Sequence, residues 1–195
     1  MKPVTDRVSN PFGMQAPAEP AVYGYGDVNA DFHVVGADPW SHGGAGTGVP
    51  FTGCGTARRL QSVLHDVGFA AEPYSDAPGL SNCYLSYLHL SPGDPADLER
   101  YVDAELRAIN AHILLPVGDE ALSYVLERFT TRARKLPHDA TRLHAGEVRG
   151  RGFLVVPVRD PADWSPGDAA ALRDRLASIL DGDYRQTKGV ATRVG

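Results

Sequence analysis

The chain has 195 residues, a formal charge of −5 and 43% hydrophobic residues, which fits one domain with a full core. No apolar run reaches bilayer-spanning length and the N-terminus lacks a signal peptide's apolar core, so no membrane partner is expected and the cytoplasm is the expected location. Two cysteines, Cys54 and Cys83, are too few for a disulfide framework, and the acidic balance argues against strong general affinity for nucleic acid.

Residues 1–31 are rich in Pro, Gly and Ala and read as an irregular leader. The first predicted strand is Phe32–Val35. Thr56–Val67 places Leu60, Val63, Leu64 and Val67 on one helical face, and Gly68 ends that helix. A second strand covers about Asn82–Leu90. Asp94 as N-cap and Pro95 at the first helical position open a helix over Ala96–Ala111. His112–Val117 is a third strand, Gly118 turns the chain, and Glu120–Phe129 is helical. Thr130–Arg151 is irregular and cation-rich. Phe153–Val158 is the fourth strand, and Ser165 as N-cap opens a last helix that runs to Leu180. Strands alternate with helices, and three of the four strands are continuous apolar runs. The fold class predicted is α/β: a four-stranded parallel sheet with helices on both faces, over residues 32–182, followed by a polar tail at 183–195.

The densest string lies after the first strand. Gly36-Ala37-Asp38-Pro39-Trp40 leads into a glycine-rich loop and then Gly48-Val49-Pro50-Phe51-Thr52-Gly53. A loop leaving the carboxyl end of a buried strand is where open α/β sheets bind ligands. This string resembles the uracil-DNA glycosylase superfamily. The Gly-x-Asp-Pro element is similar to its classical branch, and Gly48–Gly53 is similar to the Gly-x-Pro-Phe-x-Gly block of its iron–sulfur branch. Leu80–Tyr84 sits where the superfamily carries a base-reading Asn, and Ile113–Val125 resembles its strand-Gly-helix block. The resemblance covers roughly residues 22–182. Arg supplies 16 of the 19 cations and Asp outnumbers Glu by 17 to 7. That salt-adapted style is similar to haloarchaeal members of the superfamily.

The resemblance implies a monofunctional DNA glycosylase that hydrolyses the N-glycosidic bond of uracil, acting on uracil-containing DNA as a monomer. Bond cleavage makes the sugar cationic and the base anionic, so it needs a carboxylate near the sugar and donors near the base. Asp38 takes the carboxylate role. Gly36, Ala37, Trp40, Phe51 and Asn82 take substrate-binding roles: Phe51 as a stacking platform, Asn82 as reader of the uracil edge, Trp40 as the bulk that excludes a thymine methyl. Asn82 also reads as a loop cap at a strand start, and Phe51 as a core residue. The second catalytic element of the superfamily aligns with Val156–Trp164 and puts Asp160 where a His is expected. An ionised carboxylate there opposes a departing anion. Asp160 is then protonated, or Arg159 or a nearby His replaces it, or the help is absent.

No cofactor is expected: two cysteines cannot hold an iron–sulfur cluster, and the seven His show no metal-ligand spacing. His42 reads as an exposed loop residue. The loop from His42 to Gly48 lacks the Lys-Ser/Thr of a phosphate-binding P-loop. Seven cations and two anions occupy Arg128–Arg151, and Arg132, Arg134 and Lys135 are its candidate DNA contacts. Two other readings stay open: a catalytically weak or inactive homologue that binds DNA or a base, and a flavodoxin-like small-molecule or nucleotide binder.

Overall fold

The computed structural model describes residues 3–185. In chain order the elements are β1 (Tyr25–Gly26), β2 (Phe32–Gly36), α1 (Pro39–His42), α2 (Gly55–Asp66), β3 (Cys83–Tyr87), α3 (Pro95–Ile109), β4 (Ile113–Pro116), α4 (Gly118–Phe129), α5 (Ala140–Leu143), β5 (Val148–Arg149), β6 (Leu154–Val155) and α6 (Asp168–Asp181). They form one six-stranded sheet in the order β1-β3-β2-β4-β6-β5. The four central strands are parallel, as the alternation of strands and helices predicts. The two edges are short antiparallel additions. Each is two residues long, too short to leave any periodicity in the sequence. One of them, β1, lies in the segment read as an irregular leader.

Register puts Phe32 opposite both Cys83 and Ile113, and Ile113 opposite Leu154. Side chains alternate across the sheet. Phe32, Val34, Leu85 and Leu115 therefore pack with Leu60 and Leu64 of α2 and Leu172 and Leu176 of α6. Val35, Tyr84 and Leu114 pack on the other face with Val102 and Leu106 of α3 and Leu122 and Val125 of α4. Both faces are covered, which is why the central strands carry no exposed positions. Among the described residues no helix is long and apolar enough to cross a membrane.

One helix start matches expectation and one differs. Asp94 caps α3 and Pro95 is its first residue, as predicted. Ser165 does not cap α6: it donates to Asp168 Oδ2 through both its N–H and its hydroxyl, and Gly167 occupies the cap position. Nor does the polar tail begin free at 183, since Tyr184 Oη and the Arg185 guanidinium donate to Asp31. Residues 186–195 of the tail lie outside the described residues.

Burial places one acid in the core. Glu105 of α3 is 3% exposed, and it accepts from Tyr84 Oη at 2.9 Å. Burial pushes its carboxyl up to about 8, against the smaller downward pull of Tyr84 and the Gly24 N–H. The folded state thus holds a proton that the unfolded chain releases near pH 4.3. Stability linked to Glu105 is complete below about pH 4.3 and is lost progressively as pH rises to about 8. Glu105→Gln is therefore expected to flatten the pH dependence of the melting temperature over that window and to melt higher than the parent at its alkaline end. Parallel melting-temperature profiles of the two proteins would show that the acid is not buried in the neutral form.

Candidate active site

The carboxyl ends of β2, β3 and β4 open on one edge of the sheet, and the bridge from Val117 to Val158 brings the chain after β6 to the same edge. β2 leads there into Asp38. This residue is the N-cap of α1: its Oδ1 accepts from the N–H groups of Trp40 and Ser41, each at 2.8 Å, and its Oδ2 accepts from Ser41 Oγ at 2.9 Å. Pro39 at the first helical position has no N–H to leave unsatisfied, so Asp-Pro is a strong local start signal. The result is a carboxylate locked in orientation, with lone-pair capacity left on Oδ2.

α1 is a single turn and ends at His42. The sequence reading made this an exposed loop histidine; it is 2% exposed. Its ring lies 5.7 Å from that of Phe51 and 6.3 Å from that of Tyr87, nearly parallel to the latter. Its Nε2 is 3.3 Å from Asp160 Oδ2, at ion-pair distance but off hydrogen-bond alignment. Neither ring nitrogen has a hydrogen-bond partner among the described residues, an uncommon state for a buried imidazole.

Asp160 follows the last parallel strand and caps the short turn Pro161–Asp163 through Oδ1, which accepts from Ala162 N. His42 is the main influence on its carboxyl and holds it below the usual range. Partial burial works against that, and the Ala162 N–H assists it. Of the alternatives left open by the sequence, this favours an ionised Asp160 over a protonated one. Arg159 is engaged elsewhere. Its guanidinium is 2.9 Å from Asp168, its N–H donates to His144 Nδ1 and its carbonyl accepts from Trp164 Nε1. The group standing beside Asp160 is His42.

Tyr87, which the sequence reading did not single out, ties this edge together. Its hydroxyl donates to Gly43 O at 2.6 Å and accepts from Phe51 N at 2.8 Å, joining both ends of the glycine loop to β3. Burial pushes its phenol upward. Gly36 lies opposite Tyr87 in the parallel register, and a Cβ on Gly36 would meet Tyr87 and Phe51 ring carbons at 2.7 Å. Only the parallel register could have exposed this pairing, because the two residues are 51 positions apart in sequence. Gly36 is thus a packing glycine, and the carbonyls of Gly36 and Ala37 accept from Leu88 N and His89 N.

Phe51 reaches the site but not as an open platform. It is fully buried and adopts φ 56°, a conformation rare for a bulky residue. Tyr87 Oη on its N–H and Gln61 Nε2 on its carbonyl hold it there. Trp40 is the reverse case. Its side chain is 53% exposed on the rim, so it does not line a closed pocket as a methyl-excluding wall. The glycine loop folds on itself: Cβ atoms on Gly43 and Gly44 would lie 2.2 Å from Thr52 O and 2.5 Å from Val49 O. Those glycines serve close backbone approach within the loop, not a phosphate.

Asn82 is placed elsewhere. It precedes β3 at the amino edge of the sheet, about one five-residue strand, or roughly 16 Å, from the Asp38 edge. Its Oδ1 accepts from Asp31 N at 2.7 Å, its N–H donates to Asp27 Oδ2, and its φ of 56° is one that Asn tolerates. The base-reading role is therefore corrected to the loop cap. Asn82→Ala is expected to destabilise the fold by about 1–2 kcal/mol through the lost bond and the strained φ. Discrimination of uracil from cytosine should be unchanged, and a variant that loses it would return Asn82 to the site.

Arg132, Arg134 and Lys135 also lie away from this edge. α4 starts at the edge with Gly118 and runs 12 residues, about 18 Å, towards the amino edge. Arg132 follows its end, its N–H donating to Thr130 Oγ1, and Arg134 and Lys135 form the next turn. Their assignment as DNA contacts is corrected accordingly: a cation-rich sequence stretch here is a solvated loop at the far end of a helix. The stretch returns towards the site at Asp139 and the short α5, where Ala140 N donates to Asp119, and at His144, which accepts from Arg159 N.

A family model described as the uracil DNA glycosylase superfamily matches residues 23–177. The chain is 45% identical over 170 residues to a Type-5 uracil-DNA glycosylase of Pyrobaculum aerophilum, covering 80% of this chain and 72% of that relative.

Proposed function

The chain belongs to the uracil DNA glycosylase superfamily, and from that premise we propose that it excises uracil from DNA by hydrolysing the N-glycosidic bond, as a monofunctional base-excision repair enzyme. The observation that carries the mechanism is α1 itself. One helical turn holds a fixed carboxylate at its start and a buried imidazole at its end, and that imidazole lies 3.3 Å from a second carboxylate.

In this reading the extruded nucleotide is set with its sugar against Asp38. The bond from C1′ to N1 breaks, its electron pair leaves with uracil, and the sugar becomes oxocarbenium-like. Asp38 stabilises that cation and positions water on Oδ2, the oxygen with spare capacity; attack at C1′ gives the abasic sugar, the water's proton leaving through Asp38 while the uracil anion takes up a proton to leave as uracil. His42 stabilises the leaving uracil anion, with Asp160 orienting the ring. Asp160 acts through His42 and not as a donor, which reconciles a carboxylate at this position with an anionic leaving group. Trp40 presents its exposed indole to the DNA around the extruded nucleotide, and Phe51 supports the floor of the site from below. Gly36 and Ala37 serve the packing beneath the site, Gly36 by admitting the Tyr87 and Phe51 rings and both by accepting from the Leu88 and His89 N–H groups.

The enzyme works in this reading on DNA in the cytoplasm, as a monomer. The glycine loop's inward folding favours this over a flavodoxin-like nucleotide binder. The test is single-turnover incubation with uracil-containing oligonucleotides, single- and double-stranded. Free uracil and an alkali-labile abasic site are expected, with no strand break before alkali. Absence of released uracil on both substrates, with the variant Asp38→Asn indistinguishable from the parent, would sink the proposal.

A further inference from the structure

One groove lies away from Asp38. It runs between α2 and α6, with a volume of about 550 Å³, within the roughly 300–1,000 Å³ range of small-ligand pockets. Arg58, Arg59 and Arg173 line it with Trp164, Val63 and one acid, Asp66. Three cations against one anion stand out in a chain whose net charge is −5. Arg58 and Arg59 have no ion-pair partner among the described residues, and Arg173 is paired only with the exposed Asp174, at 3.2 Å, where a phosphate can compete for it. The Arg58 guanidinium instead lies 3.9 Å above the Tyr74 ring, which orients it without neutralising it.

The groove is continuous with the candidate active site. Arg59 donates to Pro161 O at 2.7 Å and to Ala162 O at 3.1 Å, so one wall of the groove grips the turn that Asp160 caps. Trp164 and Ser165 follow that turn and form the mouth. The opposite flank of the same sheet edge has the other sign. There a groove between α3 and α4 is lined by Glu99, Glu120 and Glu127, with His89 against Glu120 at 2.6 Å. A polyanion crossing the edge meets repulsion on the α3–α4 side and attraction on the α2–α6 side.

We propose that the α2–α6 groove is a track for the nucleic-acid strand that carries the uracil, with Arg58 and Arg173 neutralising phosphates flanking the extruded nucleotide and Trp164 stacking a neighbouring base. The proposal rests on the reading of the protein as a DNA-acting glycosylase, and it names where the substrate's flanks go. The occupant is a single strand: the half-buried Trp164 offers an aromatic surface to unstacked bases, and stacking of bases on aromatic side chains is sequence-tolerant. Arg59 is a positioning residue, because its bonds to Pro161 and Ala162 hold the Asp160 turn.

The test compares Arg58→Glu/Arg173→Glu, and separately Arg58→Gln/Arg173→Gln, with the parent on uracil oligonucleotides that extend one nucleotide or many nucleotides to either side of the uracil. For the parent, KM should fall as the oligonucleotide lengthens on one side. In the Glu variant that length advantage should collapse, with KM on the long substrate rising about tenfold or more at low salt. The Gln variant should show a smaller rise, and its slope of log K against log salt should flatten by about two phosphate contacts, roughly 0.7 per contact on single strands. Equal effects on short and long substrates, or none on either, overturn the track. Should the protein release no uracil at all, anisotropy titration of a fluorescent undamaged single strand still decides the matter. Weaker binding by both double variants keeps the groove although the activity reading fails, and unchanged binding removes it. Melting temperatures within a few degrees of the parent show that the variants are folded.

Discussion

Asp38→Asn is expected to lower the single-turnover rate of uracil excision about a hundredfold or more, with little change in melting temperature. The amide keeps the shape of the carboxylate, and its oxygen can still accept from Trp40 N and Ser41 N, so the cap on α1 survives. Its nitrogen can donate to Ser41 Oγ where Oδ2 accepts, so the local network adapts. What disappears is the negative charge beside the sugar. Removing one pre-organised group that meets developing charge typically raises the barrier by roughly 3–4 kcal/mol. Because the loss is in the transition state, kcat should fall while KM changes little. A variant with parental single-turnover rates would reduce Asp38 to a helix cap.

His42→Phe is expected to have a comparable effect for a different reason. A phenyl ring preserves the contacts with Phe51 and Tyr87 but removes both nitrogens, so the fold should be retained. The leaving uracil anion then faces Asp160 with no imidazole between them. Loss of a positioned acid–base group commonly lowers rates by about a hundredfold or more. Asp160→Asn should give a smaller loss, on the order of tenfold, because the imidazole remains but is no longer oriented by a charge. Asp160→His should not raise the rate, since a second imidazole would stand against the first. The pH profile provides the independent readout. His42 holds Asp160 in its ionised form below the usual carboxylate range, so its contribution should persist through neutral pH and vanish only under acid conditions, as pH falls through its lowered pKa. If His42→Phe keeps the parental rate while Asp160→His increases it, the leaving-group position belongs to residue 160 and His42 is a core residue.

The difference between Asn82 and His42 shows what pattern reading can and cannot do. Asn82 lies beside a strand, in a segment similar to a superfamily motif, and that likeness implies a base-reading role. The motif resemblance did not specify which end of the strand it occupies. In a parallel sheet only the carboxyl ends face the ligand edge, and Asn82 is at the other. His42 follows a Pro-Trp-Ser string and precedes two glycines, a context that reads as exposed loop. It is buried because Tyr87, from a strand far along the chain, draws the glycine loop inward by bonding to Gly43 and Phe51.

What the sequence determined by itself is local or periodic. Continuous apolar runs separated by helical periods set a parallel α/β sheet, since such strands have both faces to bury. Asp38-Pro39 and Asp94-Pro95 set helix starts, since an acceptor followed by a residue without N–H satisfies a helix end from within two positions. The Asp38 string set which sheet edge to inspect. Only the tertiary structure decided the rest. The approach of His42 to Asp160, the exclusion of Arg159 by Asp168, the burial of Phe51 and the α2–α6 groove each join residues more than eight positions apart. Distances of that kind follow from strand order, register and the way helices lie over the sheet. Those are fixed by the packing of the whole core, and no single window of the chain contains them.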